Sequence, residues 1–361
     1  MSTKGNDKGR EKGRKILASD NRWLTSLKLD LAYFGGRAFL SKRGVGAILR
    51  FARVCPRRRT PFQPLKSSEI TPQFLDQTVR ALKRWKYDIV GMDEVCRRAV
   101  TMADGRRFVS LTFDGVSKDL ITSAYPVLAR HGVPFTVYVP TAFPDGLGEA
   151  WWLALEQIIA RENRLSLTIA RDDRHFTIRT TSEKYELYAF LSGWLRSLDP
   201  PDLSIAINDL CKRYSVDLAS LSRQACMDWA DLGKLAADPN VTIGSATVNY
   251  PVLSNLKDAG AWREMTMGRA VAEAAFHRPI KHFAYPFGDR DSWRRAHLVM
   301  SEEAGFESAV STISGIVEAE GRTNLHALPR IDWDGRQSLR AMRVLLSGAT
   351  FAAVKPTRSD R

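Results

Sequence analysis

A strand–helix–strand unit in the first third of this 361-residue chain limits the folds open to it. Phe108 to Phe113 is an apolar and β-branched run ending at Asp114. Leu120, Ile121, Ala124, Tyr125 and Leu128 follow with the spacing of one helix face, and His131-Gly132 supplies a C-terminal stop. Val133-Pro134 leads into a second apolar run, Phe135 to Val139. Two strands joined through a helix must lie parallel, with a right-handed crossover. The rhythm returns after residue 240. A strand is expected at Val241–Ile243, then a helix through Trp262, Met265 and Val271. Next come a strand at His282–Tyr285, stopped by Pro286-Phe287-Gly288, a helix ending near Gly305, and a strand at Ser308–Thr312. Upstream, Val45 to Val54 reads as a strand and Pro56 to Pro64 as a loop. Thr71-Pro72 is a helix start, and Tyr87 to Val90 is a short strand. Repeated β/α units of this kind predict a barrel or a doubly wound sheet.

Residues 146–228 interrupt the pattern. They hold the pair Trp151-Trp152, a hairpin-like His175–Thr180 and helical stripes around Tyr185–Leu195 and Ile205–Tyr214. This stretch reads as an insertion beside the repeated units. The expected organisation is a basic arm with an amphipathic helix over 1–43, a barrel over 44–350 and a short tail over 351–361. The net charge of +14 is uneven: residues 1–66 carry 17 Lys/Arg against 4 Asp/Glu, or +13. Such a segment is either a contact for an anionic membrane surface or a solvated tail. No nucleic-acid motif accompanies the charge, so nucleic acid is not an expected partner. No apolar run reaches the roughly 18–20 residues that span a bilayer. The start of the chain lacks the apolar core of a secretory signal. The four cysteines form no CxxC pair. The expected location is cytoplasmic, peripheral to a membrane if the arm binds one.

Four ordered blocks carry a family likeness. They are Leu111-Thr112-Phe113-Asp114-Gly115, Ile243 to Pro251, Phe283-Ala284-Tyr285-Pro286-Phe287-Gly288, and Leu328-Pro329-Arg330-Ile331. Together they resemble the motifs of the polysaccharide deacetylase family with its NodB-homology domain. The resemblance implies a distorted (β/α) barrel whose site lies at the C-terminal ends of the strands. It also implies a divalent metal, often zinc, held by Asp-His-His, which polarises an acetamide carbonyl and activates water. A first Asp acts as base, and a late His often acts as acid. The positions that match the family's metal ligands are substituted here. The second Asp falls on Gly115, the first His on Ala246 and the second His on Tyr250. Gly and Ala have no donor atom, and a phenol with an ordinary pKa near 10 is a poor ligand. Members also carry His in the strand matching Leu49–Ala52, where this chain has Arg50 and Phe51. No bound cofactor is therefore expected.

The remaining candidates are Asp114 as base and His326 as acid. Tyr285, Pro286, Phe287, Arg330, Trp151 and Trp152 are candidate substrate contacts. Each has a structural alternative. Asp114 could simply hydrogen-bond a loop, Arg330 could pair with Asp332, and the tryptophans could be buried under the insertion. Asp119, Asp289 and Asp291 are spare carboxylates. Three functions remain open: a degenerate deacetylase relative that binds an acetylated sugar or glycan, a metal-independent amide or ester hydrolase using Asp114, and a non-catalytic scaffold for the basic arm.

Overall fold

The structure, a computed structural model, describes residues 44–101, 105–169, 172–335, 338–348 and 350–351. The expected amphipathic helix over 23–41 lies outside the described residues, as does nearly all of the tail.

A curved, all-parallel sheet forms the centre. Its strands are β1 (Gly46–Phe51), β5 (Phe108–Asp114), β6 (Phe135–Val139), β9 (Val241–Ser245), β10 (His282–Ala284), β11 (Ser308–Val310) and β12 (Ile331–Asp332). They lie in the order β11-β10-β9-β6-β5-β1-β12, and β4 (Asp88–Ile89) pairs with the start of β5. One segment joins the two edges. Leu328 bridges to Val310 in β11, and three residues later Ile331 pairs with Leu49 in β1. The sheet therefore curls round on itself as a distorted (β/α) barrel, the expected architecture. The remaining short strands are β2 (Arg53–Val54) with β3 (Glu69–Ile70), and the hairpin β7 (Arg164–Ile169) with β8 (Asp172–Thr177).

Strand alternation divides the side chains between two layers. Leu49, Leu111, Phe113, Phe135, Val137 and Ile243 face outward, onto a helical layer that includes Leu75, Leu128, Leu232 and Met265. Ile48, Phe108, Tyr138, Ala246, Ala284 and Val310 fill the barrel. The outer helices include α1 (Pro72–Arg84), α2 (Met92–Val100), α3 (Tyr125–His131), α8 (Trp229–Ala236), α9 (Asp258–Phe276) and α10 (Arg295–Glu303). Residues 151–225 supply α4 (Trp151–Arg161), α5 (Thr181–Ser197), α6 (Pro200–Arg213) and α7 (Leu218–Ala225). Their apolar faces form a separate cluster with Phe62, around Leu155, Ile159, Leu191, Leu195 and Leu210. Helix starts follow local chemistry. Thr71, Thr180, Asp199, Asp217 and Asp228 each accept from the backbone N–H three residues on, satisfying a donor that the first turn leaves free.

Two readings shift. The hairpin turns earlier than expected, with Arg164–Ile169 as its first strand, because Leu165 and Leu167 are its buried side. The late strand is shorter, because Ser311 N–H already bonds Leu328 O across the barrel seam. The charge asymmetry also changes meaning. Residues 44–66 contain six Lys/Arg and no Asp/Glu, and that part belongs to the barrel. Arg50, Arg53 and Arg58 are all paired with carboxylates there. Residues 1–43 by themselves carry 11 Lys/Arg against 4 Asp/Glu. Among the described residues no helix is long and apolar enough to cross a membrane.

Candidate active-site cleft

Asp114 ends β5 on the inward face, in phase with Ser110 and Thr112. Its side chain is only 3% exposed, and two arginines meet it. Arg330 lies on the segment that joins the sheet edges and is fully buried. Its Nη1 donates to Asp114 Oδ1 at 2.6 Å and its Nη2 to Oδ2 at 2.8 Å, a two-pronged contact. Its Nε donates to Ser311 O at 2.7 Å. Arg50 lies next to Thr112 in register on β1. It donates from Nε to Asp114 Oδ2 at 2.5 Å and from Nη1 to Asp332 Oδ1 at 2.9 Å. Burial pushes the Asp114 carboxyl up, but Arg330 and Arg50 outweigh it and bring it down to about 2. Burial opposes the charge on Arg50, yet Asp114 and Asp332 raise its pKa overall.

Above this cluster opens a cleft of about 420 Å³ between barrel and insertion. Arg50, Arg53, Asp114 and Gly115 line the barrel side, and Tyr188, Ser192 and Arg196 the insertion side. An aromatic wall runs along it. Phe143 stacks near Trp152 at 6.0 Å between ring centres, Trp152 meets Tyr250 at 6.4 Å, and Tyr250 meets Phe287 at 5.2 Å. The Arg196 guanidinium covers the Phe287 ring at 4.4 Å. Salt bridges hold the two sides together: Arg58 to Glu156 at 2.7 Å and Arg196 to Asp289 at 2.6 Å.

The loop 246–251 has a rigid frame. Glu264 of α9 accepts from the backbone N–H groups of Val248 and Asn249 at 3.0 and 2.9 Å. Thr247 O and Val248 O accept from Thr141 and Ala142 N–H. Tyr250 is held at φ +58, where side chains other than glycine are uncommon, and its N–H donates to Thr247 Oγ1 at 3.0 Å. The side chains of this frame do not suit a divalent ion. Gly115 offers no donor, and Ala246 is a fully buried methyl in the barrel interior. Burial and the nearby Asp114 charge push the Tyr250 phenol up, away from the phenolate a metal would need. Both Asp114 oxygens are already bound by guanidiniums. Among the described residues no group of three or more His, Cys, Asp or Glu could hold a metal ion.

The other candidates separate. Trp151, Trp152 and Phe287 line the cleft with Gly115 and Tyr250. Trp151 is itself mostly buried. Tyr285 and Pro286 do not reach the cleft. The Tyr285 ring is buried and stacked 4.8 Å from Trp293, with its hydroxyl on Ser301 and His326 O. His326 does not stand over Asp114. Its Nδ1 is 2.8 Å from Ser301 Oγ behind β11, and burial lowers its pKa. Arg330 contacts no open space, and its partner is Asp114 in place of the expected Asp332. Asp119 and Asp289 pair with Arg53 and Arg196. Sequence reasoning missed Arg53, Arg196 and Tyr188 as cleft residues, because their helix or strand neighbours give no sign of the facing element. Arg50 was visible as a departure, and its place two residues after inward Ile48 marks it as a barrel-facing cation.

Residues 200–308 match the family model for polysaccharide deacetylase. Over that stretch the chain is similar to polysaccharide deacetylases. The match spans the second and third motif blocks but not Asp114. Solved structures agree on the fold. The deacetylase PplD of Streptococcus pyogenes, in complex with acetate, aligns with a TM-score of 0.55 at 15% identity, covering 83% of this chain and 97% of that one. The putative polysaccharide deacetylase BA0330 of Bacillus anthracis gives 0.53 at 11% identity, covering 84% and 69%. IcaB of Ammonifex degensii gives 0.51 at 13% identity, covering 84% and 96%. No curated protein matches the chain.

Proposed function

We propose that this polysaccharide deacetylase domain binds a glycan in the cleft and has lost the metal-dependent hydrolysis of its family. The observation that carries the reading is the state of Asp114. It sits on the floor of an aromatic-lined cleft with both oxygens bound by Arg50 and Arg330. Trp152, Tyr250 and Phe287 offer ring faces of the kind that stack on sugars, amphipathic surfaces joined in one strip. The geometry does not favour a metal-free hydrolase. A general base works best with a pKa near the operating pH, and Asp114 is held at about 2.

Calorimetric titration with chitotetraose tests the reading. Binding is expected, and Trp152→Ala weakens it roughly 3- to 10-fold, the worth of one aromatic stack. Binding that ignores Trp152→Ala, or acetate release that tracks bound metal, contradicts the reading.

A further inference from the structure

The charged groups that line the cleft are unevenly engaged. Both lining carboxylates accept from arginines. Asp114 accepts from both arginines, and Glu69 Oε1 accepts from Arg53 at 3.2 Å and Arg58 at 2.7 Å. The guanidiniums are not saturated. Arg50 uses Nε and Nη1, and among the described residues Nη2 has no acceptor. Arg53 uses Nε on Asp119 and Nη1 on Glu69, which leaves its Nη2. Arg196 uses only Nη2, on Asp289 and Ser292, and its Nε is buried without a partner. All three arginines line the cleft, and each is already fixed by a carboxylate. Fixed guanidiniums lose little freedom when a ligand arrives, and their planar fork fits an oxyanion. A buried Nε without an acceptor is costly to desolvate until a ligand supplies one.

We propose that the glycan bound in this cleft carries an oxyanion, a sugar carboxylate or phosphate, and that Arg50 and Arg196 read it. This rests on the glycan-binding reading and adds the ligand's charge. The aromatic strip would take the sugar faces while the arginines lining the cleft take the anion.

Tetragalacturonic acid and chitotetraose, titrated in parallel at low salt, are the test. Glucose 6-phosphate against glucose is the phosphate arm. One acidic ligand should bind at least about 10-fold tighter than its neutral counterpart, a difference of about 1.4 kcal/mol. Arg50→Gln and Arg196→Gln should each cut that ratio at least about threefold, and both keep the neighbouring carboxylates paired or exposed. The arm that shows the ratio identifies the anion. If chitotetraose binds through Trp152 but neither acidic ligand is preferred, the anion proposal is overturned and the glycan reading stands. If no sugar binds, both fall. An acidic preference that survives both variants also overturns the proposal.

Discussion

At the scale of single residues, the Arg330–Asp114 pair decides most. An unpaired carboxylate in a cleft costs desolvation, and its removal would relieve that cost. The structure reverses that expectation, because Asp114 is the countercharge of a fully buried guanidinium. Removing one partner of a buried pair leaves the other uncompensated, at about 3–5 kcal/mol. Asp114→Asn should therefore destabilise the fold by about 3 kcal/mol, read by denaturant unfolding. Its pH dependence follows from the carboxyl lying at about 2, below the ordinary 3.8. A depressed carboxyl stabilises the fold fully above about pH 4 and loses that contribution as the pH falls through about 2. The gap between wild type and Asp114→Asn should narrow over that window; a gap constant from pH 7 to pH 2 contradicts the pairing. The motif showed that Asp114 sits at a strand end. It could not show which cations meet it, since Arg50 and Arg330 lie 64 and 216 residues away in sequence.

At the scale of elements, the loop 246–251 is held in a rigid frame by α9. Gly268 of α9 makes this visible. A Cβ there would lie 2.5–2.9 Å from the backbone of Thr247, so the helix can approach the loop only without a side chain. Gly268→Ala should push α9 from the loop and cost about 1–3 kcal/mol, the usual range for overpacking. Hydrogen exchange at Val248 and Asn249, whose N–H groups rest on Glu264 of the same helix, should rise with it. Unchanged exchange there would mean that α9 does not hold the loop. Hydrophobic period located the barrel strands and the outer helices well, because each buries one face. It located short strands such as Ile331–Asp332 poorly, because their identity comes from pairing with β1 and not from their own residues.

At the scale of the whole molecule, the cleft exists because the insertion stands against the barrel's C-terminal rim. The β/α rhythm made the barrel legible. The face that the insertion turns to the barrel was not legible, since Tyr188 and Arg196 look like ordinary positions on an amphipathic helix. Two guanidiniums thus occupy both oxygens of the carboxylate at the mouth of this barrel. The direct test is acetate release from chitotetraose by the wild-type protein, with one equivalent of zinc and again after chelation. Release should match the protein-free blank in both. Turnover that appears with zinc and disappears with the chelator would contradict the account.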